Sequence, residues 1–333
     1  MENEIVFQQP VRLFWELFKF ISHLFGRWFG GNLSNQYLFG EKHMSESRAL
    51  YIDLLKKCLL GQIYDSRRGG QIISQDQCVT LLREANEIFK PYLAPLGHTV
   101  ESFLDVTSTV KMGSCAENLC LTLNGMHRDI TPDTMSHFSA LENLQFCVEE
   151  VIRNNVPGDL IETGVWKGGL PVFMRGILKA YDVVDRVVWA ADSYEGLPKA
   201  DPERSLEDAI WFHLFSPLER LKIPVEFVLN VFQKYGLLDD QVRLLKGVFS
   251  LTLPVAPIEK LAVMRLDGDW YKSTMDSLKN LYPKLAPGGF AIIDDYGLPF
   301  GCRRAVDEYR SAYQINEPIQ WINHQAVFWR KEG

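Results

Sequence analysis

Residues 156–333 predict an open α/β sheet with an antiparallel edge, on three observations. Short apolar runs alternate with helical stretches, the pattern of a parallel sheet covered by helices. A strand runs into a glycine turn and a helix over Asp159–Gly169. The chain closes with two strand-like runs, Ile319–Ile322 and Ala326–Arg330, which read as a hairpin around Asn323-His324.

The stretch Asp159-Leu160-Ile161-Glu162-Thr163-Gly164-Val165-Trp166-Lys167-Gly168-Gly169 organises the rest. Val156-Pro157-Gly158 stops the preceding helix, because proline cannot continue the helical ladder and glycine accepts a left-handed exit. A helix over Pro171–Tyr181 then aims its N-terminus back at the turn. Such a turn lets backbone N–H groups approach a nucleotide-like ligand; the same glycines also suit a tight βα corner with no ligand. Further strands are expected at Val187–Ala191, Val242–Lys246, Leu261–Leu266 and Phe290–Ile293, and helices at Val225–Tyr235, Ser273–Lys284 and Arg303–Tyr313.

Upstream the pattern is helical. Ser47–Ile63, Asp76–Leu93 and Ser139–Asn154 carry apolar residues at helical spacing, so residues 46–155 read as a helical cap ahead of a ligand-binding domain at 156–333. Gly30–Asn35 reads as a joint and Ser66–Gly70 as a loop. The first 45 residues form an extension whose segment 11–29 is rich in Phe, Trp and Leu. Arg12, Glu16, Lys19, His23 and Arg27 recur along one side, an amphipathic rather than a spanning pattern. It predicts a helix packed on the body of the protein or on a second copy in a homodimer, with peripheral membrane contact as the alternative.

A net charge of −7 over 333 residues argues against nucleic acid held by bulk electrostatics. The six cysteines form no CxxC pair, and no cleavable export signal is evident, so reduced thiols in a cytoplasmic protein are expected. His127, His137, His213 and His324 are dispersed without metal-ligand spacing, and Trp211-Phe212 and Phe227 read as packing residues.

In an open sheet, ligands bind beyond the carboxyl ends of the strands. The second strand ends in Asp192-Ser193, where an acid suits a ribose diol; the fourth ends in Asp267-Gly268-Asp269 and the fifth in Asp294-Asp295. Carboxylates gathered this way repel one another, and a hard divalent cation, Mg²⁺ before Mn²⁺ or Ca²⁺, would resolve the conflict. Helix capping, as by Asp269 ahead of Ser273, is the competing explanation for each acid taken singly.

The strings GDLIETGVWKGG, ADSYEGLP, LLKGVFSLTLP, MRLDGDWYKSTMDSLKNLYPKLAPGGFAIIDDYG and GCRRAVDEYR, in this order, closely resemble the macrocin O-methyltransferase family. The similarity runs from Thr134 to Arg330, with a weaker match around Leu50–Tyr64. It implies a Rossmann-like class I methyltransferase sheet, S-adenosylmethionine and Mg²⁺ as cofactors, and a sugar hydroxyl as acceptor. Position by position, it implies that Glu162, Thr163, Gly164, Trp166, Lys167 and Gly168 hold the methionine end of the cofactor and Asp192 and Ser193 its ribose and adenine side. Gly247 and Phe249 would lie near the adenine, and Thr134-Met135 would close over the cofactor. Asp267, Asp294 and Asp295 match the metal ligands, and Asp269 the general base. Before residue 134 the chain departs from the family, so the acceptor does not transfer with the resemblance. A catechol-type or other diol acceptor and a non-catalytic partner-binding role stay open. A nicotinamide oxidoreductase fits poorly, because Gly164–Gly169 lacks GxGxxG spacing and such an enzyme has no use for the acid cluster.

Overall fold

Helices α1 (Leu33–Leu59), α2 (Gln75–Leu93), α3 (Val100–Thr107) and α4 (Phe138–Arg153) precede the sheet. The structure, a computed structural model, describes residues 33–62, 74–107, 119, 132–215 and 221–333. The aromatic segment 11–29, the loop 66–70 and His127 lie outside them. Leu33–Asn35, expected in a joint, are already helical. α2 begins where its sequence dictates: Ser74 Oγ accepts from Gln77 N at 3.2 Å and Gln77 Oε1 accepts from Ser74 N at 2.8 Å, a capping box.

After α4 come β1 (Asp159–Thr163), α5 (Gly169–Ala180), β2 (Val188–Asp192), α6 (Leu206–Phe215), α7 (Val225–Lys234), β3 (Val242–Lys246), the single turn α8 (Phe249–Thr252), β4 (Leu261–Leu266), α9 (Tyr271–Leu281), β5 (Leu285–Ile293), α10 (Cys302–Ala312), β6 (Gln320–Trp321) and β7 (Val327–Arg330). The strands form one sheet in the order β3-β2-β1-β4-β5-β7-β6. β1 to β5 are parallel, and β7 runs antiparallel to both β5 and β6, so the expected edge hairpin is present.

Period-two alternation divides the strands between two cores. Leu160, Val188, Val263 and Ile292 face α1, α4, α5 and α7. Ile161, Ala191, Met264 and Ile293 face α9 and α10. Helices α1 and α4, expected in a cap, therefore belong to the layer on the sheet. Their apolar stripes, Ile52-Leu55-Leu59 and Leu141-Leu144-Val148-Val151, are buried against α5 and the strands.

A third cluster joins α2 and α3 to α6 through Leu82, Phe89, Val100, Leu104, Ile210 and Leu214. α6 belongs to an insertion between β2 and β3, and it brings this cluster to the carboxyl ends of the strands. Trp211 and Phe215 in it meet Trp270 and Phe300 ring to ring at 5.7–6.4 Å between centroids. Trp211 is a packing residue as expected, whereas Phe227 is 41% exposed on α7. Cys58, Cys78, Cys147 and Cys302 are free thiols, and no described helix is long and apolar enough to cross a membrane.

Candidate active site

Parallel pairing sets the strand ends side by side. β1 meets β4 through Thr163 and Leu266, and β4 meets β5 through Leu266 and Ile293. The residues just beyond, Gly164, Asp267 and Asp294, form a row. Backbone bonds prolong it, with Asp267 N donating to Thr163 O at 2.8 Å and Asp294 N to Leu266 O at 2.9 Å. The row lies where the strand order reverses, the place where open sheets part to admit a ligand.

Gly164 makes the first turn possible. It takes φ 84°, and a Cβ there would lie 1.6 Å from Asp267 O, so no other residue fits between the two strand ends. Asp192 braces the turn from the neighbouring strand: Oδ2 accepts from Val165 N at 2.8 Å and Oδ1 from Tyr194 N at 2.8 Å. Trp166 N also donates to Oδ2 at 3.4 Å and Ser193 Oγ to Oδ1 at 3.3 Å, so four donors from the turn and the next loop surround the carboxylate. Trp166, Tyr194 and Asp269 hold φ of 47°, 56° and 56°, so backbone strain gathers around this crevice.

The segment before α4 folds across the turn. Asp133, buried, accepts from Lys234 Nζ at 2.9 Å and Tyr235 OH at 2.7 Å, and its N–H donates to Leu59 O at 2.9 Å. Lys167 Nζ donates to Pro132 O at 3.4 Å and covers the Trp166 ring. This brings Met135 to the crevice and Ser136 to the acids.

The acids are not bare. Arg265, in the fully buried strand β4, is 1% exposed. Its guanidinium donates to Glu162 Oε1 and Asp294 Oδ1, to Asp267 Oδ2 at 2.6 Å and to Ser136 Oγ at 3.1 Å. The repulsion that suggested a cation is thus partly relieved from inside the protein. It is not removed. Desolvation, opposed by Arg265, lifts Glu162 to about 8. Desolvation and the Asp294 charge lift Asp267 to about 7. Burial and the neighbouring acids hold Asp269 and Asp295 well above the carboxylate range. Asp267, Asp294 and Asp295 each offer an oxygen, all within 4.8 Å of one another, an all-oxygen set that fits a hard dication. Asp269 N donates to Asp295 Oδ2 at 3.0 Å, and the residue that caps α9 is Trp270, so Asp269 is not serving as a helix cap.

The row opens into a cavity of about 380 Å³. On the cofactor side Gly164, Trp166, Asp192, Ser193, Phe249 and Met135 line it, and on the acid side Asp267 and Asp269. Other predicted residues stand behind this lining. Thr163 is fully buried, its Oγ1 accepting from Ser277 Oγ at 3.4 Å, and Glu162 faces Arg265. Gly168 packs on Val228, Gly247 N donates to Asp192 O at 2.8 Å, and Thr134 Oγ1 accepts from Ser136 N at 3.0 Å. These positions shape the walls. His137 and His324 lie edge to face at 5.6 Å between centroids, outside the lining.

Sequence reasoning missed Arg265, Asp208 and the far wall. Arg265 had a signal, since an arginine inside the apolar strand LAVMRL must be paired. Asp208 and the stretch Leu197–Ser205 had none, because their partners come from distant loops.

Comparison with known proteins bears on this crevice. A family model described as Macrocin-O-methyltransferase (TylF) matches residues 48–331. The chain belongs to the macrocin O-methyltransferase family. It is similar to the Mycinamicin III 3''-O-methyltransferase of Micromonospora griseorubida, 46% identical over 246 residues that cover 73% of this chain and 96% of that protein. It is also similar to the 8-demethyl-8-(2,3-dimethoxy-alpha-L-rhamnosyl)-tetracenomycin-C 4'-O-methyltransferase of Streptomyces olivaceus, 50% identical over 198 residues, 59% of this chain and 75% of that one. Among solved structures, the O-methyltransferase NovP superposes with a TM-score of 0.67 at 38% identity, covering 86% of this chain and 100% of its own.

As a macrocin O-methyltransferase family member the chain is a class I methyltransferase in fold and an O-methyltransferase in activity, with S-adenosylmethionine as methyl donor. The cavity suits that donor. Glu162 Oε2 is buried without a hydrogen-bond partner beside the turn, a polar oxygen left for a further group. Its other oxygen is already held by Arg265.

Proposed function

We propose that this enzyme methylates a hydroxyl of a sugar or glycosylated small molecule, with Mg²⁺ held by Asp267, Asp294 and Asp295 and with Asp269 as general base. One observation carries the reading: a glycine turn fit for the donor and an acid set fit for a dication meet at one cavity through Gly164 and Asp267, with Asp269 also in its lining. The relatives named for glycosylated natural products support a sugar acceptor.

The chain's residues divide the work. Gly164 and Trp166 form the donor's floor, Asp192 sets an acid in the cavity wall where a ribose diol would lie, and Phe249 and Met135 flank the cavity. Glu162 presents its unpartnered oxygen to the donor's cationic end. Asp269 takes the proton of the acceptor hydroxyl. The hydroxyl oxygen bonds to the donor's methyl carbon as the sulfur–methyl bond breaks, and S-adenosylhomocysteine leaves. When bound, Mg²⁺ supplies positive charge that stabilises the acceptor oxygen as its proton departs. The walls exclude water and align the two reactants.

Calorimetric titration with S-adenosylmethionine, with and without Mg²⁺ and with Asp192→Ala as control, is the first test. Binding by the native protein that is lost in the variant supports the donor site and leads to a screen of glycosides. Full turnover in excess chelator would refute the metal assignment.

A further inference from the structure

The insertion that walls the acceptor side is tied to both acid-bearing loops by one carboxylate. Asp208, the third residue of α6, is 1% exposed. Its Oδ2 accepts from Tyr271 N at 2.8 Å, and its Oδ1 accepts from Gly301 N at 2.7 Å. Tyr271 opens α9 and Gly301 is the N-cap of α10, so two helix N-termini converge on this side chain. Their amides and dipoles hold a buried anion with no cation bonded to it among the described ion pairs. Gly301 is required there, because a Cβ would fall 2.6 Å from Asp208 Oδ2 and 2.6 Å from Tyr271 Cβ.

The chain positions give this knot its meaning. Tyr271 lies two residues after Asp269, and Gly301 six residues after Asp295. Around the knot the wall is fixed again: Trp270 Nε1 donates to Pro198 O at 3.0 Å, and Arg304 donates to Arg204 O at 2.9 Å while pairing with Glu207 at 3.0 Å. Arg304 also covers the Tyr271 ring at 4.4 Å. Asp208 lines the cavity, yet both its oxygens are committed to backbone amides, so its effect passes through the groups it holds.

We propose that Asp208 is the positioning residue of the transfer site: by bridging the starts of α9 and α10 it fixes Asp269 against Asp295 and sets both against the acceptor wall. The proposal rests on the reading of Asp269 as general base. Replacing one oxygen by an amide, in Asp208→Asn, turns a donor toward a donor at Tyr271 or Gly301 and releases one loop. Gly301→Ala disturbs the same knot from the other side and serves if the first variant folds poorly.

Hydrogen exchange with S-adenosylmethionine bound reads the tie directly. Peptides covering 266–272 or 295–302 are expected to lose about tenfold of their protection in either variant, while 158–170 keep theirs and donor affinity is retained. Unchanged protection in both loops, or equal loss across 158–170, overturns the proposal. Turnover of methyl rhamnosides and of a wider glycoside panel is measured in parallel. On any glycoside the native enzyme methylates, the variants are expected to lose about tenfold or more in kcat with the donor KM retained, and Asp208→Glu, which keeps both acceptors, to recover part of it. Loss confined to the donor KM overturns the positioning role. A native enzyme that binds the donor but methylates no glycoside refutes the sugar reading instead, and the exchange result still decides the tie.

Discussion

Arg265 and Glu162 are register partners on adjacent strands, and each is at most 2% exposed. Their contact places a guanidinium at the centre of three carboxylates, because Asp267 and Asp294 reach the same group from the ends of β4 and β5.

Arg265→Met should therefore destabilise the protein by about 3–5 kcal/mol at neutral pH, the cost of leaving buried acids uncompensated. The loss should grow at pH 9, where Glu162 and Asp267, raised further once Arg265 no longer lowers them, must give up protons they hold at neutral pH. Urea unfolding at both values checks this, and an equal loss at both would show that packing rather than charge dominates.

Stability of the metal-free enzyme should fall as pH rises. Glu162 and Asp267 have folded values of about 8 and about 7, above their ordinary 4.5 and 3.8. The folded state thus keeps protons that the unfolded chain gives up. Their contribution is complete below the unfolded values and is lost as pH climbs through about 7 and 8, at no more than about 1.4 kcal/mol per pH unit for each group. Melting curves from pH 6 to 9 in chelator should show the decline, and Mg²⁺ should flatten it.

Gly164→Ala should abolish donor binding. The added carbon collides with Asp267 O, and the left-handed backbone adds about 1–2 kcal/mol of strain, so the two strand ends must separate. Calorimetry with S-adenosylmethionine reads this, and micromolar binding by the variant would show that the turn yields without harm.

Asp269→Asn should lower kcat by about 100- to 10,000-fold while donor affinity stays within a few-fold. Its backbone bond to Asp295 survives the substitution, so the loop keeps its shape. Equal losses of kcat and donor binding would assign the residue to the donor site.

The sheet was legible because its strands are short, apolar and bounded by turn residues. β3 and β4 fall at the expected residues, and the acids appear at strand ends because that is where a parallel sheet ends its ladder. Helix α6 was not legible: Leu206–Phe215 is apolar on several sides, so no helical stripe distinguishes it, and its partners on α2 and α3 are far away in sequence. The same distance hid Asp208. Helices α1 and α4 read as cap helices because an apolar stripe declares a buried face without saying which layer buries it.

The guanidinium among the acids also orders events in the life of the enzyme. A cluster neutralised only by an outside ion would have to wait for that ion before its strands could close. Here the counter-charge is encoded in the chain and arrives with β4, so the strand ends can close on their acids before any ion arrives.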